Sequence, residues 1–329
     1  MSGRAVCVAQ TVRTGNPLDQ YEALFDTLMG HYYGVADSMC SKLDSIWPAH
    51  PAVHYAKASI IYAQLCDFED TTGTTILEVE AEKCLSACEL WEEQAPDSAE
   101  AEREYLIGAA YSVSGLTRHR QGKTVDGIRR LMTSRSHFDR TIEIDPEFYD
   151  AYVGRGAYRY AAAQNLGFLR WLPGVPSKKQ GWADLTLGLE RSKFSRFAAL
   201  SSMVWLVIQE ENYELADSMV KAGLERFPNS RTFLMPKLAL EKKTSQWKSA
   251  RETALMLLNQ YKQLELQNGY EVIGLYRTLM DCSDMLGETE AALNYARAGL
   301  DVAATPYALE RRKDTLKALR ARLSRKDAR

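Results

Sequence analysis

The chain has 329 residues, 46% of them hydrophobic and 26% charged, and a net charge of −2. This balance excludes a wholly disordered chain and leaves length for one large domain or two ordinary ones. No run of about eighteen apolar residues occurs, so no membrane-spanning helix is expected. The apolar stretch Ala5–Ala9 is too short for a secretory signal. The expected location is cytoplasmic, or periplasmic if an export signal has been trimmed.

Caps, breakers and apolar periodicity predict helices in chain order near 18–29, 33–46, 51–68, 75–94, 97–119, 124–144, 147–164 and 177–192. They continue near 195–210, 213–226, 231–244, 246–261, 267–286, 289–302 and 306–325. No alternating apolar pattern of useful length occurs, so no sheet is expected. Residues 1–15 read as a flexible N-terminus and 16–306 as a solenoid. An apolar insert at 165–178 carries Phe168, Leu169, Trp171, Leu172, Val175 and Pro176. These are too apolar for a plain solvated loop; they either plug a groove or core, the favoured reading, or form a docking patch. The stretch 307–329 holds nine Lys or Arg against three acids, +6, which leaves −8 for the rest. A basic tail on an acidic body points to nucleic acid, an anionic membrane or intramolecular complementarity. Leu309, Leu316, Leu319 and Leu323 fall at helical spacing, so the tail reads as a capping helix and nucleic acid is not expected.

One motif recurs along the chain. Its clearest copy runs from Phe197 to Pro228. Leu200, Met203, Val204 and Val207 form one apolar face of a first helix. Gln209–Asn212 is a polar turn. Ala216 sits where a second helix crosses the first, where a small residue lets two backbones approach, and Gly223 repeats that contact about two turns later. Pro228 follows the second helix, and Asn229–Ser230 can cap the next. Other copies end HFDRTIEIDP at Pro146 and DSMCSKLDSIWP at Pro48, and GLYRTLMDCSDMLGETEAALNYARAGL lacks its Pro.

These residues resemble the tetratricopeptide repeat, a helix-turn-helix unit of about 34 residues. From Phe197 the matching positions are Leu200, Met203, Val204, Val207, Ala216, Val220, Gly223 and Pro228. From Ile273 they are Tyr276, Leu279, Met280, Ala292, Ala296 and Gly299, with Ala304 in place of the Pro. From Pro17 they are Ala36, Cys40, Leu43 and Pro48. The resemblance covers about two-thirds of the chain by the period test. The layout is similar to divergent bacterial tetratricopeptide proteins, and more distantly to the eukaryotic tetratricopeptide repeat protein 39 and inclusion-body-clearance group. Longer helices between Thr71 and Pro146, and the insert, depart from the pattern.

The resemblance implies an all-α, right-handed α-solenoid of antiparallel helix pairs and carries no chemistry. It implies a concave groove lined by first helices: Tyr21, Phe25 and Leu28; Asp150, Val153 and Tyr160; Ser201, Trp205 and Ile208; Arg277, Asp281 and Asp284. A groove this aromatic and apolar suits an amphipathic helix or an apolar segment rather than a carboxylate. The expected function is a non-enzymatic scaffold gripping a peptide or protein segment, with the binding energy centred on Trp205, Tyr160 and Phe25. The alternative is a carrier of a small ligand or lipid in a pocket closed by the 165–178 insert.

Catalytic signatures are missing from the sequence. Gln121-Gly122-Lys123-Thr124 lacks the P-loop's earlier glycine, because Thr117 stands there, and a helix rather than a strand precedes it. His50 and His54 do not share a regular face, because Pro51 starts the helix between them, so no metal site is expected. Cys7, Cys40, Cys66, Cys84, Cys88 and Cys282 form no Cys-x-x-Cys pair and read as small buried hydrophobes in a reducing compartment. No cofactor is expected.

Overall fold

The computed structural model describes residues 15–92, 99–165, 176–264 and 268–324. Of the flexible terminus expected at 1–15, residues 1–14 lie outside these residues, as does the body of the insert with Phe168 and Trp171.

Among the described residues the chain is all helix. A 3-10 turn, Pro17–Gln20, leads into α1 (Tyr21–Met29), and Asn16 and Asp19 close a capping box on it. Then follow α2 (Tyr33–Ile46), α3 (Pro51–Phe68), α4 (Thr74–Glu92), α5 (Glu100–Arg120), α6 (Thr124–Ile144), α7 (Tyr149–Asn165) and α8 (Lys178–Arg191). The second half comprises α9 (Arg196–Gln209), α10 (Tyr213–Arg226), α11 (Arg231–Lys243), α12 (Trp247–Lys262), α13 (Tyr270–Met285), α14 (Thr289–Leu300), α15 (Pro306–Arg311) and α16 (Lys313–Ser324). Consecutive helices pack against one another as hairpins, so the architecture is the expected all-α solenoid.

Small residues set how closely the pairs approach. In the long α5–α6 hairpin, a Cβ on Gly127 would sit 2.8 Å from the Gly115 carbonyl oxygen. In the α9–α10 pair Ala216 is fully buried, as expected. Gly223 corrects the sequence reading. A Cβ there would meet the Phe233 ring at 2.3 Å, so Gly223 makes room for α11 of the next pair rather than for α9. The single helix expected at 306–325 is also corrected: it breaks at Arg312. That guanidinium stacks 3.7 Å from the Tyr270 ring centroid and donates to the Tyr270 carbonyl at 2.9 Å. The bend leaves Leu309 40% exposed rather than inward, while Leu316 and Leu319 are buried and Leu323 packs beside them. α16 packs this face against α13 and α14. Its charge is partly met within the chain, with Arg322 on Asp284 at 2.7 Å and Arg311 on Glu69 at 2.8 Å.

An open solenoid touches itself only between neighbouring repeats. This one closes on itself. At one end of the inner helices, Tyr21 and Phe25 of α1, Tyr55 of α3 and Tyr105 of α5 gather around Phe194, just before α9. Asp150 fixes that last ring in place. Its buried carboxylate accepts from the backbone N–H groups of Lys193 (3.0 Å), Phe194 (3.1 Å) and Ser195 (2.7 Å). Lys193 also pairs with Asp19 at 2.5 Å. Farther on, the tip of α3 reaches the start of α11 and the α12–α13 junction, through Asp67, Phe68 and Glu69.

Candidate functional site

Most of the expected groove residues are committed to packing, Tyr21 and Phe25 around Phe194 and the others against neighbouring helices. Tyr21 is fully buried, and its hydroxyl donates to the Ala52 carbonyl. Phe25 is half-buried against the same aromatic core. Tyr160 is buried, its hydroxyl donating to Glu210 and the Lys178 ammonium lying over its ring. Ile208 is buried in the α9–α10 core, and Leu28 and Val153 are buried as well. Arg277 and Asp281 pair with each other at 2.8 Å along α13. Asp150 holds the backbone of Lys193, Phe194 and Ser195, and Asp284 is held by Arg322. Tyr21, Tyr160 and Ile208 are buried rather than presented: Tyr21 packs beside Phe194, Tyr160 against α8 and Ile208 within the α9–α10 hairpin. Trp205 keeps 41% of its surface exposed.

Large apolar side chains are exposed on several helices, Val125, Ile128 and Met132 of α6 among them, and on α4 they line a cleft. Leu77, Ala81, Cys84 and Cys88, spaced at four, three and four, form its buried stripe. Its other side is apolar too: Ile76 is 59% exposed, Val79 47% and Leu90 65%. Unpaired aliphatic side chains of this size on one helix face form a patch rather than scattered exposure. Val79, Ala87 and Leu90 floor a cleft of about 580 Å³, walled by Ala49 and His54 on one side and Arg118 on the other.

The rim is charged but internally paired. Glu80 accepts from Lys83 (2.7 Å) and His54 Nδ1 (2.9 Å). Burial alone would raise its carboxyl, but those two partners outweigh burial and hold it below its ordinary value. Glu78 accepts from Arg118 (3.0 Å) and from Ser114 (2.9 Å), and Arg118 also reaches Asp126. Glu82 pairs with Arg130 at 2.8 Å. α4 itself carries Glu78, Glu80, Glu82, Glu89 and Glu92 against Lys83 alone, and Glu82 and Glu89 are exposed. Among the described residues no group of three His, Cys, Asp or Glu could hold a metal ion, and no helix is long and apolar enough to cross a membrane. His50 caps α3 by accepting from the Ala52 N–H at 3.2 Å, and burial lowers its imidazole to about 4.

Pattern reading of the repeats missed the α4 patch because it scored each helix for one apolar face. The available signal was Ile76, Val79 and Leu90 on the side of α4 opposite its core stripe.

No family model matches this chain. No curated protein matches it either. Among solved structures it is similar to the crystal structure of the APC/C hetero-tetramer Cut9–Hcn1, with 14% identity and a TM-score of 0.47 over 88% of this chain and 53% of that one. It is similar to the C-terminal part of a TPR repeat-containing protein from Cytophaga hutchinsonii, with 12% identity and a TM-score of 0.44 over 88% and 98% of the two chains. It is also similar to yeast Tom70, with 11% identity and a TM-score of 0.34 over 94% and 90%. The chain spans about half the length of the matched chain in the Cut9–Hcn1 structure.

Proposed function

We propose that the protein is a non-enzymatic helical scaffold that holds an amphipathic helix of a partner protein across the outer face of α4. The observation that carries this reading is the cleft of about 580 Å³ floored by Val79, Ala87 and Leu90. Ile76, Val79 and Leu90 lie on one side of α4, three and eleven residues apart, where an apolar helix can lie along them. Burying the exposed half of each would contribute about 1 kcal/mol. The exposed carboxylates Glu82 and Glu89 beside them favour a partner whose flank is basic.

The test uses two synthetic amphipathic helices, one of leucine and lysine and one of leucine and glutamate. The leucine–lysine helix should bind saturably, and Leu90→Lys together with Val79→Lys should weaken it at least about tenfold. Equal binding of both peptides, or binding untouched by the double substitution, would remove α4 as the site. Trp205 favours a second, smaller contact on α9, since it is the one aromatic of the expected groove still presented. Loss of binding in Trp205→Ala with α4 intact would shift the site there.

A further inference from the structure

The molecule divides into two apolar bodies. One core gathers α1 to α7 with Phe194, and a separate core lies within α11 to α14. Between them α9 and α10 carry only small clusters. Apart from that covalent path, the second body meets the first along a seam that is mostly polar.

At the centre of the seam is Asp67. Arg231 Nε donates to both of its oxygens, at 2.8 and 3.1 Å, and Tyr33 Oη donates to it at 3.0 Å. Tyr261 Oη donates to the same carboxylate and to the Asp67 carbonyl, both at 3.1 Å. The Thr232 N–H points at His31 Nε2 at 3.1 Å, so that nitrogen accepts, and the ring proton sits on Nδ1 facing Asp67 at 3.2 Å. Burial alone would raise the Asp67 carboxyl, but the bonds from Arg231 and His31 outweigh it and hold it well below the usual range. Around this centre lie weaker ties: Asp26 with Arg226, Asn268 donating to the Phe68 carbonyl at 2.8 Å, and Glu69 with Arg311. The ring of Phe68 is the apolar part of the seam, resting against the second core.

A buried ion pair is a poor source of net stability, because desolvation consumes most of its attraction. It is a good source of geometry, since each oxygen must meet its own donor. The seam needs both cores in register.

The geometry points to a latch. The Asp67–Arg231 pair holds the solenoid shut, and its release lets α11 to α16 swing away as one body about α9–α10. Opening hydrates the Asp67 carboxylate and uncovers Tyr33, Phe68 and Tyr261, surface that the closed ring withholds from any partner.

The experiment uses the full chain as wild type, Arg231→Leu and Asp67→Asn. Each is measured by small-angle X-ray scattering, circular dichroism and amide hydrogen exchange. Both variants should show a larger radius of gyration with helical content retained. Exchange should quicken at residues 67–70 and 229–233, while α5 and α13 stay protected. Cooperative loss of helix in both variants would show that the seam is ordinary core and overturn the latch. So would a wild-type radius with the seam amides still protected. If Arg231→Leu alone unfolds, the radius of Asp67→Asn decides by the same criteria.

Discussion

The Asp67 carboxylate, at the end of α3, is held by the Arg231 guanidinium at the start of α11, 164 residues farther along the chain. Repeat arrays owe their stability to contacts between neighbours, so a bond of this span reports a change of architecture. The contact brings the tip of α3 against the start of α11.

Asp150 holds the chain just before α9. Its carboxylate serves three consecutive N–H groups at the entry to α9 and so sets Phe194 among the aromatic rings. Asp150→Ala leaves those donors without their anion. Urea unfolding should show a loss of about 2 kcal/mol or more, beyond an ordinary cap deletion. A change below about 0.5 kcal/mol would mean the loop holds Phe194 without Asp150.

Glu271 makes stability depend on pH. Burial pushes its carboxyl up to about 7 despite Arg312, and Glu69 and Asp67 add repulsion. The folded state therefore keeps a proton that the unfolded state releases near 4.5. Stability should fall as pH rises from about 4.5 to 7 and then level off, by up to roughly 3 kcal/mol from this group. Denaturation midpoints across that window should slope downward in wild type, and the slope should shrink in Glu271→Gln. Asp67 acts in the opposite sense. Its depressed carboxyl contributes stability above about pH 4 that is lost on further acidification.

Two glycine substitutions should have opposite signs. Gly127→Ala drives a methyl into the Gly115 carbonyl at 2.8 Å and should cost about 1–3 kcal/mol. Gly34 lies exposed in α2, and a methyl added there would meet nothing within 4 Å, so Gly34→Ala should stabilise by about 0.5–1 kcal/mol. Thermal melts of the pair check the α5–α6 approach against helix propensity alone.

The expected groove residues should separate in the same way. Tyr21→Ala removes a fully buried ring and should cost about 3–5 kcal/mol. Trp205→Ala removes a ring 41% exposed and should cost much less. Comparable losses would place Trp205 in the core and withdraw it as a contact surface.

The helices were legible because their signals are local. Pro51, Ser177 and Thr305 start helices, and the spacing of Leu200, Met203, Val204 and Val207 marks a buried face. Closure was not legible, because it depends on superhelical pitch, and pitch accumulates from small offsets at each pair such as Gly223 against Phe233. Tyr21 and Tyr160 sit at positions where an open groove and a filled one call for the same residue types. Asp67 and Arg231 carry no mark of partnership in a sequence that separates them so widely. The break at Arg312 likewise follows from a long-range stack on Tyr270, with no glycine or proline to announce it.

Closure is tested most directly by zero-length carbodiimide coupling of the Asp19 carboxylate to the Lys193 ammonium. The two are exposed and 2.5 Å apart across 174 residues of chain. Mass spectrometry of the digested monomer should find the Asp19–Lys193 amide formed within one chain, and Asp19→Asn should abolish it. An open solenoid would give no such product in the monomer, and that result would contradict the closed ring.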